Sequence, residues 1–191
     1  MSERILGVSH QEVLEYNGKK FRSRLEIQTA KTLDELGIPY SYEERKIILQ
    51  EGFRCQYQKN KVIGISYTPD FVIGPIMLEC KGFETPEWKI KKKLLFKWLM
   101  ENEPTTIFYQ IHDARKSLLE CLDSHWTYLG YAIQVTPKKS KDKEPCMYDS
   151  ITQAMEELNL QGKPMGAILR SLTGQTEYVY GYSWKLIKIK L

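Results

Sequence analysis

Residues Tyr67 to Gly82 read YTPDFVIGPIMLECKG and give the strongest indication of the fold. Asp70 precedes one apolar run and Glu79 closes the next, while Gly74-Pro75 between them is typical of a tight turn. Lys81 follows Glu79 by two positions, so on an extended strand the ammonium and the carboxylate project from the same face. The stretch therefore predicts two acids and a lysine held together on a β-hairpin.

Two carboxylates beside a lysine indicate metal-assisted hydrolysis of a phosphodiester. Carboxylate oxygens suit Mg²⁺, which takes one or two carboxylates together with water and phosphate oxygens. A neighbouring lysine can position or deprotonate a water molecule and stabilise developing charge at phosphorus. Two ordinary strands with a surface ion pair would give the same pattern, so the pattern alone leaves both explanations open.

The residues Pro69-Asp70 and Glu79-Cys80-Lys81 resemble the signature of the PD-(D/E)XK nuclease superfamily. Over about the first 110 residues the sequence also resembles the phage endonuclease I family of Holliday-junction resolvases. This wider likeness is carried by four blocks: FRSRLE at 21–26, YEE at 42–44, YTPDF at 67–71 and ECKG at 79–82. The resemblance implies an α/β fold with a restriction-endonuclease-like mixed sheet flanked by helices.

The resemblance also implies the site residues and the cofactor. Asp70, Glu79 and Glu26 would bind Mg²⁺, for which Mn²⁺ would substitute, and Lys81 would act on the attacking water. Glu26 lies near the start of a helix that Ser23 can cap, where the helix macrodipole alone also favours a glutamate. Some relatives carry a further acid where this chain has Ser41, which leaves open whether Glu43 replaces it.

The rest of the first 136 residues predicts a sequence of elements that suits this core. Asn17-Gly18 indicates a turn, and the first 20 residues have no assigned role. The elements expected are a helix from Ser23 to Gly37, a strand over 38–49, a helix over 86–102, a strand over 105–111, a short helix over 117–124 and a strand over 127–135. Residues 50–61 form a polar excursion in which Tyr57 and basic residues offer a nucleic-acid contact, or else an ordinary solvated hairpin.

Basic side chains on several of these elements are candidates for DNA contacts. The helix over 86–102 carries five lysines, which predict either a row of phosphate contacts or a solvated basic face. The candidates are Arg22, Lys89, Lys92 and Lys93 in the first part of the chain, and Lys163 and Arg170 near its end.

The charged segment 137–145 predicts a linker between a nuclease domain, residues 1–136, and a second unit, residues 146–191. Residues 146–191 resemble the NUMOD-type DNA-binding modules of homing endonucleases, through two predicted helices and the later text Gly181-Tyr182-Ser183-Trp184-Lys185. The resemblance implies a helix-turn-helix that contacts DNA. A small helical cap that completes the fold is the alternative.

Composition sets the remaining bounds. The chain has 191 residues, 42% of them hydrophobic and 12% aromatic, which is typical of a globular protein, and its net charge of +4 permits a polyanionic partner without requiring one. The four cysteines form no Cys-x-x-Cys pair and predict free thiols. No stretch is long enough to span a membrane. We expect a protein of the bacterial cytoplasm or of a phage-infected host cell.

Together these features predict a Mg²⁺-dependent DNA endonuclease that acts as a homodimer, as the resembled resolvases do on branched DNA. A sequence-specific endonuclease of the homing or mobile-element type is one alternative, favoured by the C-terminal likeness. A catalytically silent DNA-binding protein that kept the nuclease fold is another. A His-Asn-His active site is disfavoured by the settings of His10, His112 and His125.

Overall fold

The computed structural model describes residues 14–139 and 144–189, which form a mixed α/β structure. The α/β class predicted from the sequence is confirmed. In the described residues the strands are β1 (Leu14–Tyr16), β2 (Lys19–Phe21), β3 (Ser41–Tyr42), β4 (Ile47–Gln50), β5 (Ile65–Tyr67), β6 (Phe71–Ile73), β7 (Ile76–Cys80), β8 (Ile107–Ile111), β9 (Tyr131–Pro137), β10 (Cys146–Tyr148) and β11 (Tyr182–Lys188). The helices are α1 (Arg24–Glu35), α2 (Pro86–Asn102), α3 (Lys116–Asp123), α4 (Ile151–Glu157) and α5 (Gly166–Leu172).

The central sheet has the strand order β3-β6-β7-β8. Strands β6 and β7 form the predicted antiparallel hairpin, in which Gly74 adopts a φ of +53° at the turn. Strand β8 lies parallel to β7, because α2 connects the two as a crossover. All five residues of β7 are buried, as expected of a strand covered on both faces.

Two helices cover opposite faces of β7. Ile76 and Leu78 belong to the core that contains Ala30 and Leu33 of α1, whereas Met77 belongs to a second core with Leu95 of α2. Because side chains alternate along a strand, Glu79 and Lys81 continue the row of Met77 on the α2 side. The end of β7 therefore lies between the N-terminal turns of both helices.

The predicted Ser23 cap of α1 is confirmed, and α2 has the predicted bounds of 86–102. Ser23 accepts a hydrogen bond from the Glu26 N–H at the start of α1, and Gly37, with a φ of +68°, follows its end. Thr85 caps α2 in the same way, by accepting from the Trp88 N–H.

The prediction of one continuous strand over residues 38–49 is wrong. The chain forms the short strands β3 and β4, which belong to different sheets. Glu43 adopts a φ of +51° and its N–H donates to the Asp70 carbonyl at 3.1 Å, so the backbone turns out of the central sheet at this residue. Strand β4 then pairs with β5 instead.

A second sheet, with the order β10-β9-β11, joins the two units predicted on either side of the charged segment. Tyr148 of β10 pairs with Ile133 of β9, and Trp184 of β11 pairs with Val135. Trp184 has no exposed surface and belongs to the same core as α1. The C-terminal residues therefore share a sheet and a hydrophobic core with the preceding part of the chain.

Strand β9 also differs from its predicted bounds of 127–135. It begins at Tyr131, because residues 126–130 form turns that end at Gly130 with a φ of +81°. It continues to Pro137, the first residue of the predicted linker, and β10 begins at Cys146; residues 140–143 lie outside the described ranges. Of the first 20 residues, 1–13 lie outside these ranges as well, and β1 and β2 form a hairpin around the predicted Asn17-Gly18 turn.

Within residues 14–139 and 144–189, no helix is long and apolar enough to cross a membrane.

Candidate active site

The four predicted catalytic side chains line one open cleft of about 430 Å³. Glu26 comes from the first turn of α1, Asp70 lies just before β6, Glu79 is near the end of β7 and Lys81 follows that strand. Glu26 precedes the other three residues by 44 to 55 positions in the sequence, and it reaches them because α1 packs on the hairpin. The structure places the three predicted acids and Lys81 together at the end of the central sheet.

Asp70 and Glu79 form a pair of acids in a desolvated setting. Burial, and next the charge of Glu79, raise the pKa of Asp70 from its ordinary value to about 7, although the hydrogen bond from the Cys80 N–H at 2.6 Å opposes the rise. Burial also raises the pKa of Glu79, while the Tyr67 O–H, which donates to it at 2.9 Å, lowers that pKa. This pair would gain from a nearby cation.

Glu26 is buried, and both of its carboxylate oxygens accept hydrogen bonds. The Ser23 O–H donates to one oxygen at 2.7 Å, and the Tyr42 O–H and the Arg22 N–H donate to the other at 2.7 and 3.0 Å. Together with the Ser23 cap, these bonds hold the first turn of α1, in which Glu26 accepts from the N–H of the residue before the cap. Glu26 therefore stabilises the helix end and also lies in the cleft, where its charge contributes to the raised pKa of Asp70.

Lys81 is held between an acid and an aromatic ring. Its ammonium nitrogen lies 3.8 Å from a Glu79 oxygen and 5.4 Å from the centre of the Trp88 ring. The Trp88 ring nitrogen donates to Gln110 at 3.2 Å, which orients the indole. Nδ1 of His112 lies 2.6 Å from the Lys81 carbonyl oxygen. Trp88 of α2 therefore lies against the ammonium group, and His112, the residue after β8, contacts the backbone of the lysine.

The donor atoms of the cleft fit a divalent cation of the Mg²⁺ type. Asp70 and Glu79 offer hard oxygen ligands, and Mg²⁺ commonly takes one or two carboxylates and completes its shell with water and phosphate. In the described parts of the chain, no group of three or more His, Cys, Asp or Glu side chains is gathered closely enough to hold a metal ion. Because Glu26 is already hydrogen-bonded on both oxygens, its role as a third ligand stays a prediction.

The sequence did not indicate a functional role for two residues that line this cleft, Tyr67 and Trp88. Tyr67 was quoted only as part of the motif text, yet its hydroxyl donates to Glu79 and orients that carboxylate. Trp88, in the first turn of α2, was not singled out, yet its ring lies 5.4 Å from the Lys81 ammonium. Lys91 was expected on the lysine-rich face of α2, but it lines the cleft and lowers the pKa of Glu79.

The predicted DNA-contacting residues of the first part of the chain differ in their surroundings. Lys89 and Lys93 are exposed on α2. Arg22 is exposed at the edge of the cleft and forms a 2.9 Å ion pair with Glu43. Lys92 pairs with Glu84 and also contacts Gln110, so its charge is partly neutralised inside the molecule.

The two predicted DNA-contacting residues of the C-terminal part, Lys163 and Arg170, are both exposed. Arg170 lies on α5 and lines a separate cleft of about 330 Å³ together with Lys31 and Arg115. Lys163 lies in the turn between α4 and α5, with its ammonium 5.9 Å from the centre of the Tyr180 ring. Neither residue lines the cleft of the acids.

Ser41, where the resemblance implies a further acid, pairs with Val72 in the central sheet. The carboxylate of Glu43 is close enough to contribute to the raised pKa of Asp70. A role of Glu43 in place of that acid stays a prediction.

Comparison of the chain with protein-family models, with curated proteins and with solved structures gave no match.

Proposed function

We propose that this protein is a metal-dependent endonuclease that hydrolyses phosphodiester bonds in DNA. The observation that carries the proposal is the convergence of Asp70, Glu79 and Lys81, with Glu26 beside them, in one open cleft. The order of helix, hairpin, crossover helix and parallel strand supports a PD-(D/E)XK type of nuclease core. The motif blocks that resemble phage endonuclease I contribute all four of these side chains.

Each residue of the cleft has a role that follows from its contacts. Asp70 and Glu79 would hold Mg²⁺, which when bound polarises a phosphoryl oxygen and lowers the pKa of a water molecule. Tyr67 holds the Glu79 carboxylate in place through its hydroxyl. Lys81 places a positive charge beside the acids, where it can orient the attacking water and stabilise charge on the phosphate. Trp88 limits the positions that Lys81 can adopt.

The cations around the cleft support a polyanionic substrate. Arg22 and Lys91 line the cleft itself, and Lys89 and Lys93 extend along the exposed side of α2. Such side chains bind phosphates without regard to sequence and give an affinity that falls with salt. The resemblance favours branched DNA as the substrate and a homodimer that makes two symmetric cuts.

The C-terminal helices α4 and α5 are proposed to add DNA contacts through Lys163 and Arg170, in the manner of a helix-turn-helix. Their exposure supports this role. Ile151 and Ile168 of the same helices are fully buried in the common core, so α4 and α5 also complete the fold. On α5 the exposed Arg170 and the buried Ile168 are two residues apart, so they project from roughly opposite sides of the helix.

The test is a cleavage assay on a labelled four-way junction, a linear duplex and a supercoiled plasmid, in Mg²⁺, in Mn²⁺ and in EDTA. We expect cleavage with either metal and none in EDTA. Asp70→Asn, Glu79→Gln and Lys81→Ala should each lower the rate by about 100-fold or more, whereas Asp149→Asn, which changes an exposed aspartate, should not.

A rate near that of the wild type in Asp70→Asn or Glu79→Gln would refute the assignment of the acids. A wild-type protein that binds DNA but cuts no substrate with either metal would instead be the catalytically silent alternative. Cutting confined to particular duplex sequences would favour the homing type.

A further inference from the structure

Residues 52–64 form a projecting hairpin, here called the basic arm. The arm contains Arg54, Lys59 and Lys61 and no aspartate or glutamate. It also exposes large apolar side chains: 87% of Tyr57, 88% of Ile63 and 45% of Phe53 is accessible. Aromatic and basic residues without acids are the composition of surfaces that bind nucleic acid.

The arm has a defined geometry at its base. Phe53 and Val62 pair across it through two backbone hydrogen bonds of 3.1 and 2.8 Å. Gly52 and Gly64 lie so close that a Cβ on Gly64 would be 2.7 Å from the Gln50 carbonyl oxygen and 2.9 Å from the Gly52 nitrogen. The two glycines thus allow the strands to meet where the arm leaves the β4–β5 ribbon.

The arm is attached directly to the wall of the catalytic cleft. Gly64 is followed by β5, in which Ser66 and Tyr67 line the cleft. The ribbon itself is anchored, because Ile47 of β4 and Tyr67 pack with Trp88 in the core under α2. A polymer that leaves the cleft along β5 would therefore reach the arm.

We propose that the basic arm binds DNA next to the cleavage site, with Tyr57 stacked on an unpaired base and Arg54, Lys59 and Lys61 on phosphates. This inference rests on the proposed function and specifies its substrate class: DNA with unpaired bases, as at a branch point or a gap. A stacked tyrosine requires a free base face, which paired duplex does not offer. A second copy of the chain fits the arm less well, because a twofold contact between arms would oppose like charges.

The test measures binding by fluorescence anisotropy with the full chain in EDTA, so that no cleavage occurs. The probes are a labelled duplex with a central single-stranded gap and the same duplex fully paired. Tyr57→Ala should weaken binding to the gapped probe by about 5- to 150-fold, the loss expected for one stacked base, and should leave the paired probe unchanged. The matched control is Tyr128→Ala, which removes an exposed tyrosine outside the arm and should leave both affinities unchanged.

A second variant measures the phosphate contacts. Lys59→Ala/Lys61→Ala should reduce the slope of log K against log salt by about 1.4 to 1.8 on the gapped probe. Its control is Lys19→Ala/Lys188→Ala, which removes one exposed lysine of β2 and one of β11 and should keep the wild-type slope.

Binding of the gapped probe by Tyr57→Ala with wild-type affinity would overturn the inference, as would a wild type that binds neither probe. A lower mass of Tyr57→Ala by light scattering, with DNA binding intact, would overturn it in favour of a contact between two copies. If gapped DNA is bound through Tyr57 but nothing is cut in Mg²⁺ or Mn²⁺, DNA binding by the arm is supported and the proposed nuclease activity is refuted.

Discussion

Replacing Asp70 with asparagine should stabilise the metal-free protein at pH 8 while it abolishes cleavage. Burial and the charge of Glu79 raise the pKa of Asp70 to about 7 from an ordinary value of 3.8. The folded state therefore binds this proton more tightly than the unfolded chain does, and stability is lost as the pH rises from about 4 to about 7. Asparagine avoids this loss, because it stays neutral and can still accept from the Cys80 N–H.

The size of the effect follows from the shift. Each pKa unit corresponds to about 1.4 kcal/mol, so the rise in the pKa of Asp70 from 3.8 to about 7 lowers the free energy of unfolding at high pH by at most about 4 kcal/mol. Asp70 is only partly buried and faces an open cleft, so screening by water should reduce the gain at pH 8 to about 2 kcal/mol. For a chain of this length such a gain raises Tm by about 4–8 °C.

The assay is thermal unfolding followed by circular dichroism in EDTA, at pH 5 and at pH 8, for the wild type and for Asp70→Asn. The Tm advantage of the variant should be clearly larger at pH 8 than at pH 5. Asp149→Asn serves as the control, because this exposed aspartate should give the same Tm difference at both values. An equal advantage of Asp70→Asn at the two pH values, or a lower Tm at pH 8, would refute the reasoning.

Three further predictions concern stability. Ending the chain at residue 139 removes residues 144–189, including the fully buried Trp184, and should abolish cooperative unfolding in a thermal melt; a soluble, cooperatively folded fragment would contradict the shared core. Gly64→Ala should lower the free energy of unfolding in urea by about 1–3 kcal/mol, whereas Gly166→Ala, which has no atom within 4 Å of the added Cβ, should not lower it. Asp123→Ala should cost about 3 kcal/mol in the same assay, because this buried carboxylate accepts from the first backbone N–H groups of α4; a loss below 1 kcal/mol would show that these bonds are dispensable.

Local signals accounted for much of what the sequence predicted correctly. Ser23 caps α1 and Pro86 opens α2, because caps and helix starts depend on a few neighbouring residues. Gly74-Pro75 marks the hairpin turn for the same reason. The failures arose where a distant partner decided the backbone: the strand predicted over 38–49 breaks at Glu43, whose N–H is held by the Asp70 carbonyl.

The predicted linker shows the same limit at a larger scale. Lysines and prolines at 137–145 indicate a connector, but Pro137 still belongs to β9, which pairs with β10 and β11 on its two sides. The pattern of charge and hydropathy in one segment does not predict such pairing, because hydrogen bonds between strands depend on which strands meet in the folded chain.

The helices next to the site and the hairpin that carries Asp70 and Glu79 follow from short-range patterns in the sequence. The chemistry of the acids and the lysine follows from their residue types. Tertiary structure alone decided that Glu26 meets the hairpin, that Tyr67 holds Glu79 and that Trp88 lies against Lys81. Those contacts also decide the raised pKa of Asp70, since desolvation and the charge of Glu79 act only once packing has closed the cleft around them.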